Sequence, residues 1–294
     1  MHPGTFEYLS AGSVGHALEL LTDHPDAEVL AGGHSLLPAI TNEEVDPDVV
    51  VDVSEIDAIQ GVELRNNVVE IGAGTTYAEL QNVERLQDDA TAVAEAVSVI
   101  GDEQVRNCGT IGGNLAHPVR VSDLSAALIA SDATIVTVGP QSERRIDAAE
   151  FFAPAAATDL AADELLTTVE LPVSAGNTSS AYAKQQSATM RYSLLGVAAH
   201  LTVDGGQVSD VRVAANGVTE RGVGLEPVED ALRGEPLDED TIETAASRAG
   251  DDIDSAAMID DDQASAAYRA DLLPIYTEQA LERAAERAGV DLAA

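Results

Sequence analysis

Ala31-Gly32-Gly33-His34-Ser35 and Thr110-Ile111-Gly112-Gly113-Asn114 each set two glycines side by side. Adjacent glycines let a backbone approach a ligand closely and aim its N–H groups at an anion. The first pair follows an apolar run, residues 28–30, and precedes a short helical run, residues 35–40. That context fits a phosphate-binding turn, because helix N-termini carry free N–H groups and the positive end of the dipole. A tight turn with no ligand has the same signature. The pair lacks the G-x-G-x-x-G spacing of a dinucleotide-binding turn, and no Gly-Lys-Ser/Thr follows it. The second stretch is more specific, since a Thr hydroxyl, two glycines and an Asn amide share one compact loop. Lys184 is the only lysine in the chain, every other permanent cation being arginine. Two glycine loops and one retained ammonium point to a large phosphorylated cofactor.

Working outward, residues 14–21 have helical periodicity and Val49-Val50-Val51-Asp52-Val53 reads as a buried β-branched strand. Residues 62–64 and 68–71 flank Asn66-Asn67 as a hairpin. Thr76 and Glu79 have capping-box spacing. Helices are expected at about 90–100 and at 123–130, with a strand at 133–138. Asp123 follows Pro118 and Val121-Ser122; Asp123 or Ser122 reads as the N-cap of the helix beginning there, and Asp123 as a partner for hydroxyls of a sugar or ribityl chain, two roles that are compatible. A Pro/Gly/Ser/Asn stretch over 172–180 marks a candidate boundary. Beyond it, residues 194–203 and 208–215 flank Asp204-Gly205-Gly206 as a second hairpin. The tail from 240 is helical and ends in a helix over 272–288. The order is an α/β part of about 175 residues, then a small sheet, then helices.

Composition narrows the function. Fifty-two acidic residues stand against 15 Lys plus Arg, a formal charge of −37. A nucleic-acid backbone would be repelled. Acid-rich, lysine-poor chains resemble those of halophilic organisms, where salt screens the self-repulsion. Cys108 is the single cysteine. It allows no internal disulfide, four-cysteine zinc site or cysteine-ligated iron–sulfur cluster. No apolar run approaches the roughly 20 residues that span a bilayer, and the first residues lack a signal-peptide pattern. A cytoplasmic protein is expected. The six histidines show no tight ligand spacing, and Asp260-Asp261-Asp262 lacks the EF-hand pattern. The tail pairs Glu282 with Glu286 and Arg283 with Arg287, like charges that make no salt-bridge ladder.

Several stretches together carry a family resemblance. They are Pro3-Gly4-Thr5-Phe6-Glu7-Tyr8, the first loop continued through Leu36-Leu37-Pro38, Gln104-Val105-Arg106-Asn107 with the second loop, Ser122-Asp123, Tyr182-Ala183-Lys184 and Tyr268-Arg269. In these the chain resembles, over nearly its whole length, the FAD-binding medium subunit of carbon monoxide dehydrogenase and related molybdenum hydroxylases, including the flavin domain of xanthine dehydrogenase. The resemblance implies an α+β fold. A two-subdomain PCMH-type FAD-binding domain would occupy 1–175. A small antiparallel sheet with helices, of the CO dehydrogenase flavoprotein C-terminal type, would occupy 178–290.

It further implies FAD as the cofactor, with no catalytic side chain and no metal in this chain. Ala31, Gly32, Gly33, His34 and Ser35, with Thr110, Ile111, Gly112, Gly113 and Asn114, would hold the pyrophosphate and neighbouring sugar atoms. Asp123 would bond the ribityl or ribose region, and Ile100 and Leu166 would lie near the isoalloxazine ring. Lys184 would sit close to the flavin and favour its reduced form by charge, a task for which a compact ammonium differs from a guanidinium. Electrons would come from a separate iron–sulfur small subunit and leave to an external acceptor. Substrate would be oxidised on a molybdopterin-bearing large subunit. The chain departs from the family at Gln186 and Arg191, where relatives carry a basic residue and an Asp, and at Thr41-Asn42-Glu43-Glu44, usually basic. The change at Gln186 and Arg191 touches the acceptor side more than FAD binding and keeps open a non-catalytic flavin-binding or assembly component as the alternative.

Overall fold

Val49–Asp52 is buried along its whole length and forms the middle of a three-stranded parallel sheet, with Glu7–Ser10 on one side and Glu28–Leu30 on the other. The computed structural model describes residues 5–117, 122–152, 158–174, 176–187 and 192–292. Pro3, Gly4, Pro118, Val121 and Arg191, named above, lie outside them. The chain forms two compact units. One comprises Met1–Asn82, Gly101–Pro118 and Thr134–Glu170; the other comprises Val83–Ile100, Val119–Ala133 and Leu171–Ala294.

In the first unit, helix Val14–Asp23 buries Ala17 and Leu21 against Val49, Val51, Val53, Ile56 and Ile59. A five-stranded sheet in the same unit runs Val62–Arg65, Val68–Gly72, Leu165–Pro172, Thr134–Val138, Glu143–Asp147. Its first hairpin turns on Asn66 and Asn67, both with positive φ, the geometry of a two-residue primed turn. Thr76 and Glu79 form the expected capping box at Tyr77–Leu80.

The second unit is built on an antiparallel sheet in the order Val223–Gly224, Gln207–Asn216, Ser193–Asp204, Thr178–Gln186. Gly205 and Gly206, with φ of 61° and 85°, make the central turn. The two faces of this sheet differ in kind. On one, Ala181, Ala183, Leu195, Val197 and Val213 bury against Val228, Leu232, Ile242, Leu273 and Leu281. Those come from helices Glu226–Leu232, Glu239–Ala246 and Ala266–Arg287. The other face carries Tyr182, Lys184, Gly196, Ala198, Ala214 and Asn216 in register. Because several of these are small, helices Thr91–Ser98 and Asp123–Ala130 pack on that side. Two helices from early in the sequence therefore join the late sheet, which the linear order of elements does not reveal.

Strand Thr178–Gln186 is the sheet edge, and side chains stand in for a missing neighbour. Tyr182 N donates to Glu95 Oε2 at 2.8 Å; Arg283 donates to Tyr182 O and Arg287 to Ser180 O, each at 2.7 Å. Arg283 and Arg287 both also pair with Glu95. The like-charge spacing in the tail thus serves one shared carboxylate.

The last helix begins at Ala266, capped by Ser265 Oγ, and runs through Pro274, so it starts earlier than residue 272. Arg269 in its first turn is the largest fully buried side chain, 1% exposed. It donates to the carbonyls of Leu194 and Gly217 and pairs with Asp261 at 2.9 Å. The acidic run at 260–262 is therefore anchored to the helix rather than merely solvated. Arg269→Leu should lower stability by about 3 kcal/mol, because Asp261 and two carbonyls lose a buried partner. Urea unfolding of both proteins in the same salt measures this.

Candidate cofactor-binding site

The first glycine loop leaves the carboxyl end of strand Glu28–Leu30 in the parallel sheet and enters helix Leu36–Thr41. Carboxyl ends of parallel strands are where open α/β sheets bind ligands. Gly33 has φ of +73°, a conformation that favours glycine. Gly32 is required for a different reason, close packing. A Cβ there would stand 2.1 Å from Cys108 O and 2.8 Å from Gly109 Cα. The two loops therefore meet within the first unit. Among the described residues, the amides of Gly32, Gly33, His34 and Ser35 find no backbone acceptor. His34 and Ser35 are exposed.

The second loop behaves otherwise. Thr110 is the N-cap of a helix, Ile111–Ala116, so Ile111, Gly112, Gly113 and Asn114 form its first turn. Their amides are already taken: Ile111 N by Thr75 O, Gly112 N by Ala73 O, Gly113 N by Thr110 Oγ1, and Asn114 N by Thr110 O. Gly112 lets this turn lie against Ala73, whose Cβ would be 2.5 Å from a Cβ at 112. Sequence similarity between the loops thus conceals a division: the first leaves amides open, and the second uses its own to fix the floor beside it. Leu166, also in this unit, is buried on strand Leu165–Pro172 opposite Thr137.

The remaining candidates belong to the second unit. Lys184 Nζ pairs with Asp123 Oδ2 at 2.9 Å, with both side chains only 6% exposed. It also donates to Val99 O at 3.1 Å; half-buried Ile100 is the next residue. Ser122 holds the cap position of helix Asp123–Ala130, and Asp123 turns its carboxylate to Lys184 and Tyr182 instead. Burial pushes the Asp123 carboxyl above its usual range, and the Lys184 charge with the bonds from Lys184, Tyr182 and Ser193 offsets part of that rise. Burial, then the neighbouring Asp123, holds the Tyr182 phenol well above its usual value, so it remains a donor. Tyr182 enters the sequence reading only within the Tyr182-Ala183-Lys184 stretch, with no role of its own, and Asn216, Gly196 and Glu95 do not enter it; the two-residue spacing of Tyr182 and Lys184 on one strand face is the signal that could have paired those two.

Comparison with known proteins adds to this geometry. Residues 4–174 match the FAD binding domain in molybdopterin dehydrogenase, and residues 180–284 match the CO dehydrogenase flavoprotein C-terminal domain. The glyceraldehyde dehydrogenase medium chain of Sulfolobus acidocaldarius is 30% identical over 285 residues, 97% of this chain and 100% of that one. The carbon monoxide dehydrogenase medium chain of Hydrogenophaga pseudoflava is 34% identical over 250 residues, 85% of this chain and 87% of that one. A solved structure of carbon monoxide dehydrogenase from H. pseudoflava, lacking the Mo-pyranopterin moiety of the molybdenum cofactor, superposes with a TM-score of 0.91 at 33% identity, covering 98% of this chain and 99% of that one.

The chain belongs to the FAD-binding medium-subunit family of molybdenum hydroxylases. It is an oxidoreductase subunit, its fold is that of the carbon monoxide dehydrogenase medium chain, and its cofactor is FAD. The first loop of this medium subunit fits such a group, since its open amides and the positive φ of Gly33 are suited to an anion such as a pyrophosphate.

Gly32→Ala should destabilise the protein by about 2 kcal/mol through overpacking. Gly12→Ala, which meets nothing within 4 Å, should change stability by no more than about 0.5 kcal/mol. Parallel thermal melts compare them. Lys184→Met should cost about 3 kcal/mol or more, because Asp123 is left buried and unpaired, and adding Asp123→Asn should recover part of the loss. A double-mutant cycle by denaturant unfolding checks that coupling.

Proposed function

We propose that this medium subunit transfers electrons from an iron–sulfur small subunit to an external acceptor, in a complex whose molybdopterin-bearing large subunit oxidises the substrate. The observation that carries the reading is the near full-length match to medium chains of dehydrogenases, joined to a single cysteine. One cysteine cannot ligate a cluster, which supports a reading in which electrons arrive from a cluster held outside these residues. Relatives named for substrates as unlike as glyceraldehyde, carbon monoxide and quinoline share this scaffold. We therefore assign substrate choice to a different subunit.

FAD, when bound, supplies the redox chemistry by accepting and releasing electrons at its isoalloxazine ring. The chain's own task is to hold and tune it. Ala31, Gly32, Gly33, His34 and Ser35 would take the pyrophosphate through open amides. Thr110, Ile111, Gly112, Gly113 and Asn114 would brace that loop and offer the Thr and Asn side chains. Ile100 and Leu166 would border the ring, Asp123 the ribityl region, and Lys184 would set the potential by its charge. We assign residues 1–175 to the FAD-binding domain and 178–290 to the C-terminal domain. Among the described residues no helix is long and apolar enough to cross a membrane, and we place the complex in the cytoplasm. The charge of −37 supports a habitat of high salt.

The test is an absorption spectrum of the folded protein in molar salt with FAD, followed by anaerobic mixing with the reduced iron–sulfur subunit. Perturbed flavin bands that bleach on mixing are expected. Bands that bleach with a chemical reductant but never with the partner would reject electron transfer and leave a binding component. Absence of any perturbation would reject FAD binding by this chain alone.

A further inference from the structure

Tyr182 holds the second oxygen of the same carboxylate that holds Lys184. Its Oη lies 2.6 Å from Asp123 Oδ1 and 2.9 Å from Asn216 Oδ1, and all three side chains are buried. A phenol has one proton and cannot donate to both oxygens. Asn216 Nδ2, meanwhile, is buried and has no partner among the described residues. A half-turn of the amide exchanges its oxygen and nitrogen, which gives Nδ2 the phenol oxygen as acceptor and leaves the phenol proton for Asp123. Asn216 then donates to Tyr182, and Tyr182 donates to Asp123. Gly196 makes the room. A Cβ at that mid-strand position would stand 1.9 Å from Tyr182 Oη and 2.6 Å from Asn216 Oδ1. A glycine inside a strand weakens it, and the phenol accounts for this one.

We propose that Tyr182, braced by Asn216, is a positioning residue that fixes the Asp123 carboxylate so that Oδ2 is committed to Lys184 and the ammonium is held in one place. Without the phenol, Oδ1 loses its tyrosine donor, the Ser193 hydroxyl is the neighbouring group left to it, and either oxygen can compete for the ammonium. The ion pair then loses its single geometry. What this means for the flavin rests on the reading of Lys184 given above; the positioning itself does not.

Because the chain has one lysine, lysine labelled with 15N at Nζ gives one side-chain ammonium signal from the full-length protein. Exposed ammonium protons exchange rapidly with water, whereas buried and hydrogen-bonded ones persist. A protected signal is expected. Tyr182→Phe should accelerate its exchange by about tenfold or more, the loss of one charge-assisted hydrogen bond, with far-UV circular dichroism unchanged. Asn216→Ala keeps the phenol but removes its brace, and should accelerate exchange less; it decides the question alone if the tyrosine variant does not fold. Unchanged exchange in the folded variants overturns the proposal. Added FAD should separately shift the wild-type signal. A protected signal that ignores bound FAD would refute the flavin role of Lys184 and leave the positioning role standing.

Discussion

A charge taken out of water must be met by an opposite one, and Lys184 is met by Asp123. Much of the second unit follows from bringing those two groups together. Asp123 sits at the start of a helix, so that helix has to lie close on the sheet that carries Lys184. Gly196, Ala198 and Ala214 permit the approach because they offer almost no bulk on that face. The large apolar side chains are displaced to the opposite face, where three helices cover them. One ion pair and one sheet of unequal faces are two descriptions of the same constraint.

The first unit is under a different constraint, a loop whose amides have no backbone acceptor among the described residues. Amides left open cost stability unless water or a ligand meets them. Here that exposure falls on the first loop. Its neighbour, with the same Gly-Gly signature, closes its own hydrogen bonds and packs against Ala73 and Tyr77. The open loop is thus supported by a closed one, and the glycines at Gly32, Gly109 and Gly112 allow close contact within the protein.

The periodic elements were legible before the structure. Val49–Asp52, the Asn66-Asn67 and Gly205-Gly206 turns and the Thr76–Glu79 box all follow local rules of alternation, turn chemistry and capping. The α+β class and the FAD family were legible too, through motifs rather than periodicity. What could not be read were contacts between residues far apart in the chain. Nothing local to Glu95 announces two arginines from the C-terminal helix, and nothing local to Gly196 announces a phenol. That Gly112 admits Ala73 could not be read either, because a glycine that admits a ligand and a glycine that admits a neighbouring segment look alike in sequence. Arg269 likewise looks like a surface cation until its burial is seen.

The edge of the Lys184 strand has a bearing on how the protein is made. Its outward backbone groups are closed by Glu95, Arg283 and Arg287, and Ser179 Oγ donates to Ala284 O. Strand and helix are separated by about a hundred residues of sequence. Until that helix is made and docked, the strand has an open edge and the backbone that carries the ammonium is unsecured. The surroundings of Lys184 are therefore completed by chain synthesised about a hundred residues after the strand itself, and not by the strand's own hairpin.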